Sequence, residues 1–144
     1  LLLACVKCNE SKGDEYPVND DDQPLIIDPS NENINPEDHL EFIISLDRPE
    51  YGCVTNRNQS DFGRETIYHL NLNSQLIAAR RRKLLRRLHE YYLALLEAND
   101  DNDPERVSDC RHMILHQSAP AAEFCACARE FIRKKDISEI FLGE

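Results

Sequence analysis

The strongest constraint on the fold lies in the stretch from Gln75 to Ala98. There Ile77, Leu84, Leu85, Leu88, Tyr92, Leu95 and Leu96 recur with the three-, four- and seven-residue spacing of one helical stripe. Ser74 stands where an N-cap belongs, so the spacing predicts one long helix over roughly Gln75 to Ala98. A helix with so long an apolar stripe must bury it, and helix-on-helix packing is the direct way to do so. Arg81 falls on the stripe, where its stem can pack while its head snorkels out or pairs with an acid.

The flanking segments sort around that helix. From Gly63 the period is already helical, and Ile67, Leu70 and Leu72 belong to a short helix ending near Asn71 or Asn73. Asp103-Pro104 reads as a cap followed by proline at the first helical position, opening a helix through Val107, Cys110 and Ile114. Pro120 opens another, with Phe124, Ala128, Phe131 and Ile132 on one face. Asp136 and Glu139 then resemble a capping box for a last turn holding Ile140 and Phe141. Ahead of Gly63 the pattern differs. A short helix after Val6 should stop at Pro17, and residues 19–36 read as a loop anchored by the apolar island Leu25–Ile27. An extended run at Ile43 and Ile44, a turn from Asp47 to Gly52 and a return through Cys53 to Thr55 predict a hairpin. The fold class is therefore α+β, mainly α, in three segments: 1–18, 19–62 as loop and hairpin, and 63–144 as a helical domain.

A net charge of −10 on 144 residues disfavours an autonomous polyanion binder. Arg80, Arg81, Arg82, Lys83, Arg86 and Arg87 nevertheless form a dense basic cluster. It reads first as the solvated or partner-docking face of the long helix, complementing the acidic loops at Asp20–Asp22 and Asp100–Asp103. A track for a phosphate backbone is the other reading. The apolar runs are too short to cross a bilayer, and no secretory leader pattern is present, so a cytoplasmic protein without membrane contact is expected.

Six cysteines without a secretory leader point to thiols or metal ligands rather than a disulfide framework. Cys53 is isolated, and Cys110, Cys125 and Cys127 sit in helical patterns where small buried thiols are ordinary. Only Cys5 and Cys8 have metal-ligand spacing. A tight knuckle can present both thiolates to one tetrahedral Zn²⁺, but a structural site needs two more ligands; two free cysteines are the alternative. His39, between acidic residues and an apolar run, reads as a structural hydrogen-bonding residue, and His69, His89, His112 and His116 as solvated or capping ones.

The run Leu1-Leu-Leu-Ala-Cys5-x-x-Cys8-Asn9-x-x-Lys12-Gly13-Asp14 resembles the end of the HNH nuclease motif in its zinc-stapled ββα-metal form. Lys12-Gly-Asp-x-x-Pro, Leu25-Ile-Ile-Asp-Pro, Pro36-Glu-Asp-His-Leu-Glu-Phe and Gly63-Arg-x-Thr-Ile, with Leu76-Ile-x-Ala-Arg, are similar to one HNH subfamily. That subfamily includes the nuclease subunit of Septu anti-phage systems, which also accompany some retrons. The resemblance covers roughly residues 1–88. It implies structural Zn²⁺ on Cys5 and Cys8, catalytic Mg²⁺ or another divalent cation on Asn9, and Lys12 near the scissile phosphate, with residues 1–18 as the C-terminal half of the motif. The family's general-base histidine, its adjacent acid and its first cysteine pair stand ahead of this motif, so the chain reads as the tail of a longer one. An ABC-type ATPase partner and a nucleic acid substrate, DNA ahead of RNA, are implied with it. Ile140, Phe141 and Arg133 are the candidate partner-docking residues at the other end of the chain. A zinc-stapled helical adaptor that binds a partner without catalysis is the alternative reading.

Overall fold

The computed structural model describes residues 10–14, 16–28 and 30–137. Among them the chain is mainly helical with one two-stranded antiparallel sheet. In chain order the elements are α1 (Pro36–His39), β1 (Leu40–Phe42), β2 (Val54–Asn56), a 3₁₀ turn (Arg57–Gln59), α2 (Asp61–His69), α3 (Gln75–Asp100), α4 (Pro104–His116) and α5 (Cys125–Lys134). They fall into two compact units, Leu1–Ala78 and Ala79–Glu144. Of the described helices, none is long and apolar enough to cross a membrane.

In the first unit, residues 10–12 form a helical turn. Gly13 ends it at φ +55°, a left-handed backbone open to glycine at little cost, so the stop comes before Pro17. The acidic turn that follows is organised by Asn19, whose Oδ1 accepts from the N–H groups of Asp21 (3.0 Å) and Gln23 (2.8 Å). The apolar island does anchor this loop. Ile27 is buried, and its N–H donates to Thr66 Oγ1 of α2 at 2.9 Å. Thr66→Val keeps the shape but removes the acceptor, leaving a buried N–H without its partner. A loss of about 1–3 kcal/mol is expected in chemical denaturation, with Thr66→Ser nearly neutral. Equal stability of the Val and Ser variants would show that the anchor is apolar packing alone.

The predicted hairpin is present, displaced by a few residues. β1 pairs with β2 in the register Leu40–Asn56, Glu41–Thr55 and Phe42–Val54. Pairing continues past the strand end, where Ile43 N–H donates to Cys53 O and Gly52 N–H to Ile43 O, each at 2.9 Å. Pro36–His39, which leads directly into β1, is a helical turn. Proline occupies its first position and Asn35 Oδ1 accepts from Glu37 N–H at 3.2 Å, a local capping preference that wins over extension. Helix α2, which the sequence reading grouped with the helical domain, packs on this hairpin at Gly63. Ser60 caps it, accepting from Gly63 N–H at 3.2 Å, and Ser60 Oγ lies 2.7 Å from His39 Nδ1. His39 therefore has the structural hydrogen bond expected of it.

The second unit is built on α3. Leu84, Leu85, Leu88 and Leu95 are buried as the stripe requires, with Ile114 from α4 and Cys127, Ala128, Phe131 and Ile132 from α5. Asp103 caps α4 by accepting from Arg106 N–H at 3.0 Å, with Pro104 at its first turn, as expected. One expectation changes, and of the two placements open to Arg81 one is set aside. Pro120 does not open a helix; α5 begins at Cys125, because Phe124 adopts a left-handed backbone (φ 57°, ψ 33°) that breaks any helix through it. Arg81 is buried, at 4% exposure, with Cζ 5.6 Å from the Phe124 ring centre, so its head stays inside rather than snorkelling. Burial pushes the Cys127 thiol up to about 12, which makes it the inert core thiol its position foretold.

Candidate functional site

The last residues of the sequence motif open onto a cleft of about 750 Å³. One wall is Ser11, Lys12, Gly13 and Asp14; the other is the end of α2 and the turn after it, with Tyr68, His69, Asn71 and Asn73. The cleft exists because α2 stops abruptly. Leu70 closes its last turn, and Asn71 turns the chain at φ 48°, a conformation asparagine tolerates better than most residues. The sequence places the end of this helix near Asn71 or Asn73, and the structure ends it at His69 with Leu70 as the cap. Asn73 then locks the turn to the hairpin, accepting from Val54 N–H and donating to Val54 O, both at 2.8 Å. Its amide thus supplies the pair of backbone-like bonds that another strand would give β2.

Chemically the cleft combines a cation, an exposed aromatic ring, an imidazole and amide groups, with Tyr16 beside the cation outside the lining. Lys12 Nζ lies 5.3 Å from the centre of the Tyr16 ring, and Tyr16 is itself exposed. Tyr68 is 75% exposed, with its ring edge-on to His69 at 5.1 Å. Behind the imidazole, His69 Nε2 lies 3.4 Å from Glu65 Oε2. Glu65 also holds Arg64 at 2.9 Å, and that hydrogen bond, with Asp61 alongside, pushes the guanidinium above its ordinary value. An imidazole backed by a carboxylate can orient and transfer a proton. Exposed rings beside a lysine can stack bases and hold phosphates.

Compared with protein-family models, curated proteins and solved structures, the chain matches none.

Of the candidate site residues, Lys12 lies on the cleft wall. Cys5, Cys8 and Asn9 lie outside the described residues, as do Ile140 and Phe141 and the capping box partner Glu139. Among the described residues, no group of three or more His, Cys, Asp or Glu side chains could hold a metal ion. Arg133 is over half exposed but is engaged by Glu130 on its own helix, and Lys134 Nζ reaches the same carboxylate at 3.2 Å. Ile137, the first of the terminal apolar residues, is fully buried. His69 reads in sequence as a solvated or capping residue, and nothing there singles out Tyr68. Only the break at Asn71 signalled in sequence that the end of α2 would face a cleft.

Proposed function

We propose that this chain carries part of the active site of a metal-dependent HNH endonuclease, the nuclease subunit of a Septu-type or retron-associated anti-phage system. The supporting observation is the continuity of the motif Cys5-x-x-Cys8-Asn9-x-x-Lys12-Gly13-Asp14 with a cleft that its last three residues line. The donor chemistry fits the two metals. Two thiolates at this spacing make half of a tetrahedral zinc site, and the neutral, hard amide oxygen of Asn9 suits Mg²⁺. When bound, the divalent cation supplies stabilisation of the negative charge that develops on the phosphodiester.

The chain's own side chains have separate tasks. Lys12 holds phosphate oxygens as a mobile point charge. Tyr16 and Tyr68 offer rings to unstacked bases, which favours a strand with accessible bases in the cleft. With a net charge of −10 on the chain to repel polyanions, substrate delivery falls to a partner, an ABC-type ATPase in this reading.

Asn9→Ala in the native protein should abolish Mg²⁺-dependent cleavage of DNA while zinc content and Tm stay nearly unchanged. Cys8→Ser should instead release about one zinc per chain and lower Tm, because a structural zinc site contributes folding free energy. Normal cutting by the Asn9 variant would mean that Asn9 only caps the following turn and that the motif assignment fails at its central residue, whereas no cleavage by the native protein would favour the zinc-stapled adaptor. His69→Ala should retain cleavage; its loss would move the general base to the His69–Glu65 pair.

A further inference from the structure

The basic cluster on α3 resolves into two kinds of residue. Arg80, Lys83 and Arg87 fall on one helical face and line a separate pocket of about 390 Å³, closed by Gln117, Glu123 and Phe124. Arg86 is exposed and lies outside it. Arg80 is held in place from two sides, by Glu123 Oε1 at 2.6 Å and by the Phe124 ring, 5.9 Å from its Cζ. Neither Lys83 nor Arg87 has an ion-pair partner among the described residues. In a chain with a net charge of −10, three cations face this pocket against the single carboxylate of Glu123.

The wall between them is fixed. Phe124 sits in the left-handed region, which bulky residues rarely adopt, and its ring also packs against the buried Arg81 guanidinium at 5.6 Å. The free side chains of Lys83 and Arg87 are donors without acceptors, and a guanidinium fork matches an oxyanion with several oxygens. A lone carboxylate brings one negative charge, too little to balance the site, whereas a phosphate brings more charge and more acceptors. The volume lies within the range of small-ligand clefts, roughly 300–1,000 Å³.

We propose that this pocket binds a phosphate group, presented by a nucleotide or by the backbone of a nucleic acid strand. Arg80 is positioned by Glu123 and Phe124 as the fixed arm, and Lys83 and Arg87 close on the phosphate oxygens. The site is independent of the cleft beside Lys12 and of the nuclease reading, and its test involves no cleavage.

The full chain is titrated with ADP and with pyrophosphate by calorimetry, and with a fluorescein-labelled oligonucleotide by anisotropy, at low salt. Saturable binding to at least one probe is expected. Lys83→Gln and Arg87→Gln should each weaken it roughly tenfold, as expected for loss of a charge-assisted contact. Arg86→Gln, which removes the same charge one position away from the pocket, should change it less than about twofold. All three residues are exposed, so the variants should keep the parent's circular dichroism spectrum. Binding of ADP or pyrophosphate that the oligonucleotide does not displace assigns the pocket to a nucleotide; oligonucleotide binding that ADP competes away assigns it to a backbone. Absence of saturable binding to any of the three probes overturns the proposal. So does an equal loss in all three variants, which is the signature of diffuse attraction to the helix.

Discussion

Gly63→Ala should destabilise the first unit by about 3 kcal/mol or more, at the upper end of overpacking costs. A Cβ built at Gly63 would stand 2.2 Å from the backbone oxygen of His39, 3.0 Å from Asn56 Cβ and 3.2 Å from Asn56 Cα. Two of those three neighbours are main chain, so no side-chain rotation relieves the contact, and α2 has to move off the hairpin. That movement would pull on Ser60, which both caps α2 at Gly63 N–H and meets His39 Nδ1. The sign makes the test sharp. In an open helix the same substitution would stabilise by about 1 kcal/mol, since alanine is the better helix former. Chemical denaturation should show the loss, with hydrogen exchange quickening at Val54–Asn56 and Asp61–His69. Stability equal to or above the parent protein would mean that α2 does not pack this closely on the hairpin.

Phe131→Ala should cost the second unit about 3–5 kcal/mol, a large share of the roughly 5–15 kcal/mol that holds a domain together. Phe131 is fully buried on α5. Its ring meets His89 edge-to-face at 4.9 Å and Tyr92 at 6.2 Å, two α3 residues one turn apart. Truncation removes the apolar burial and both ring contacts and leaves a cavity between the helices. Phe131→Leu refills most of the volume and should cost less than half as much, which separates packing from the aromatic geometry. Hydrogen exchange through α3 and α5 reports the change locally. A loss below about 1 kcal/mol for the alanine variant would show that this core collapses around the gap.

The elements legible in sequence share one physical origin: their signal is carried by neighbours along the chain. A 3.6-residue period and a missing breaker gave α3 nearly to its ends, and Asp103-Pro104 gave the start of α4 through capping chemistry that operates within four residues. The buried stripe of α3 followed for the same reason. Errors appeared where two local signals competed. Pro120 is a competent helix starter, yet the left-handed turn at Phe124 delays α5 to Cys125.

For the candidate sites, sequence determined the residue types, and tertiary structure decided the company they keep. Cys5 and Cys8 could be singled out because ligand spacing is a short-range property, and Asn9 and Lys12 through the resemblance carried by the same short run. That Lys12 faces Tyr68 and His69 across a cleft depends on where α2 ends and how Asn73 fastens that end to β2, a contact nineteen residues apart along the chain. The basic cluster makes the same point. Sequence gathered six cations on one helix, but only the loop folding back at Glu123 and Phe124 separates Lys83 and Arg87, which face a pocket, from Arg86, which faces solvent. Local preference writes charge and period into the chain; which charges find a partner is decided when distant segments meet.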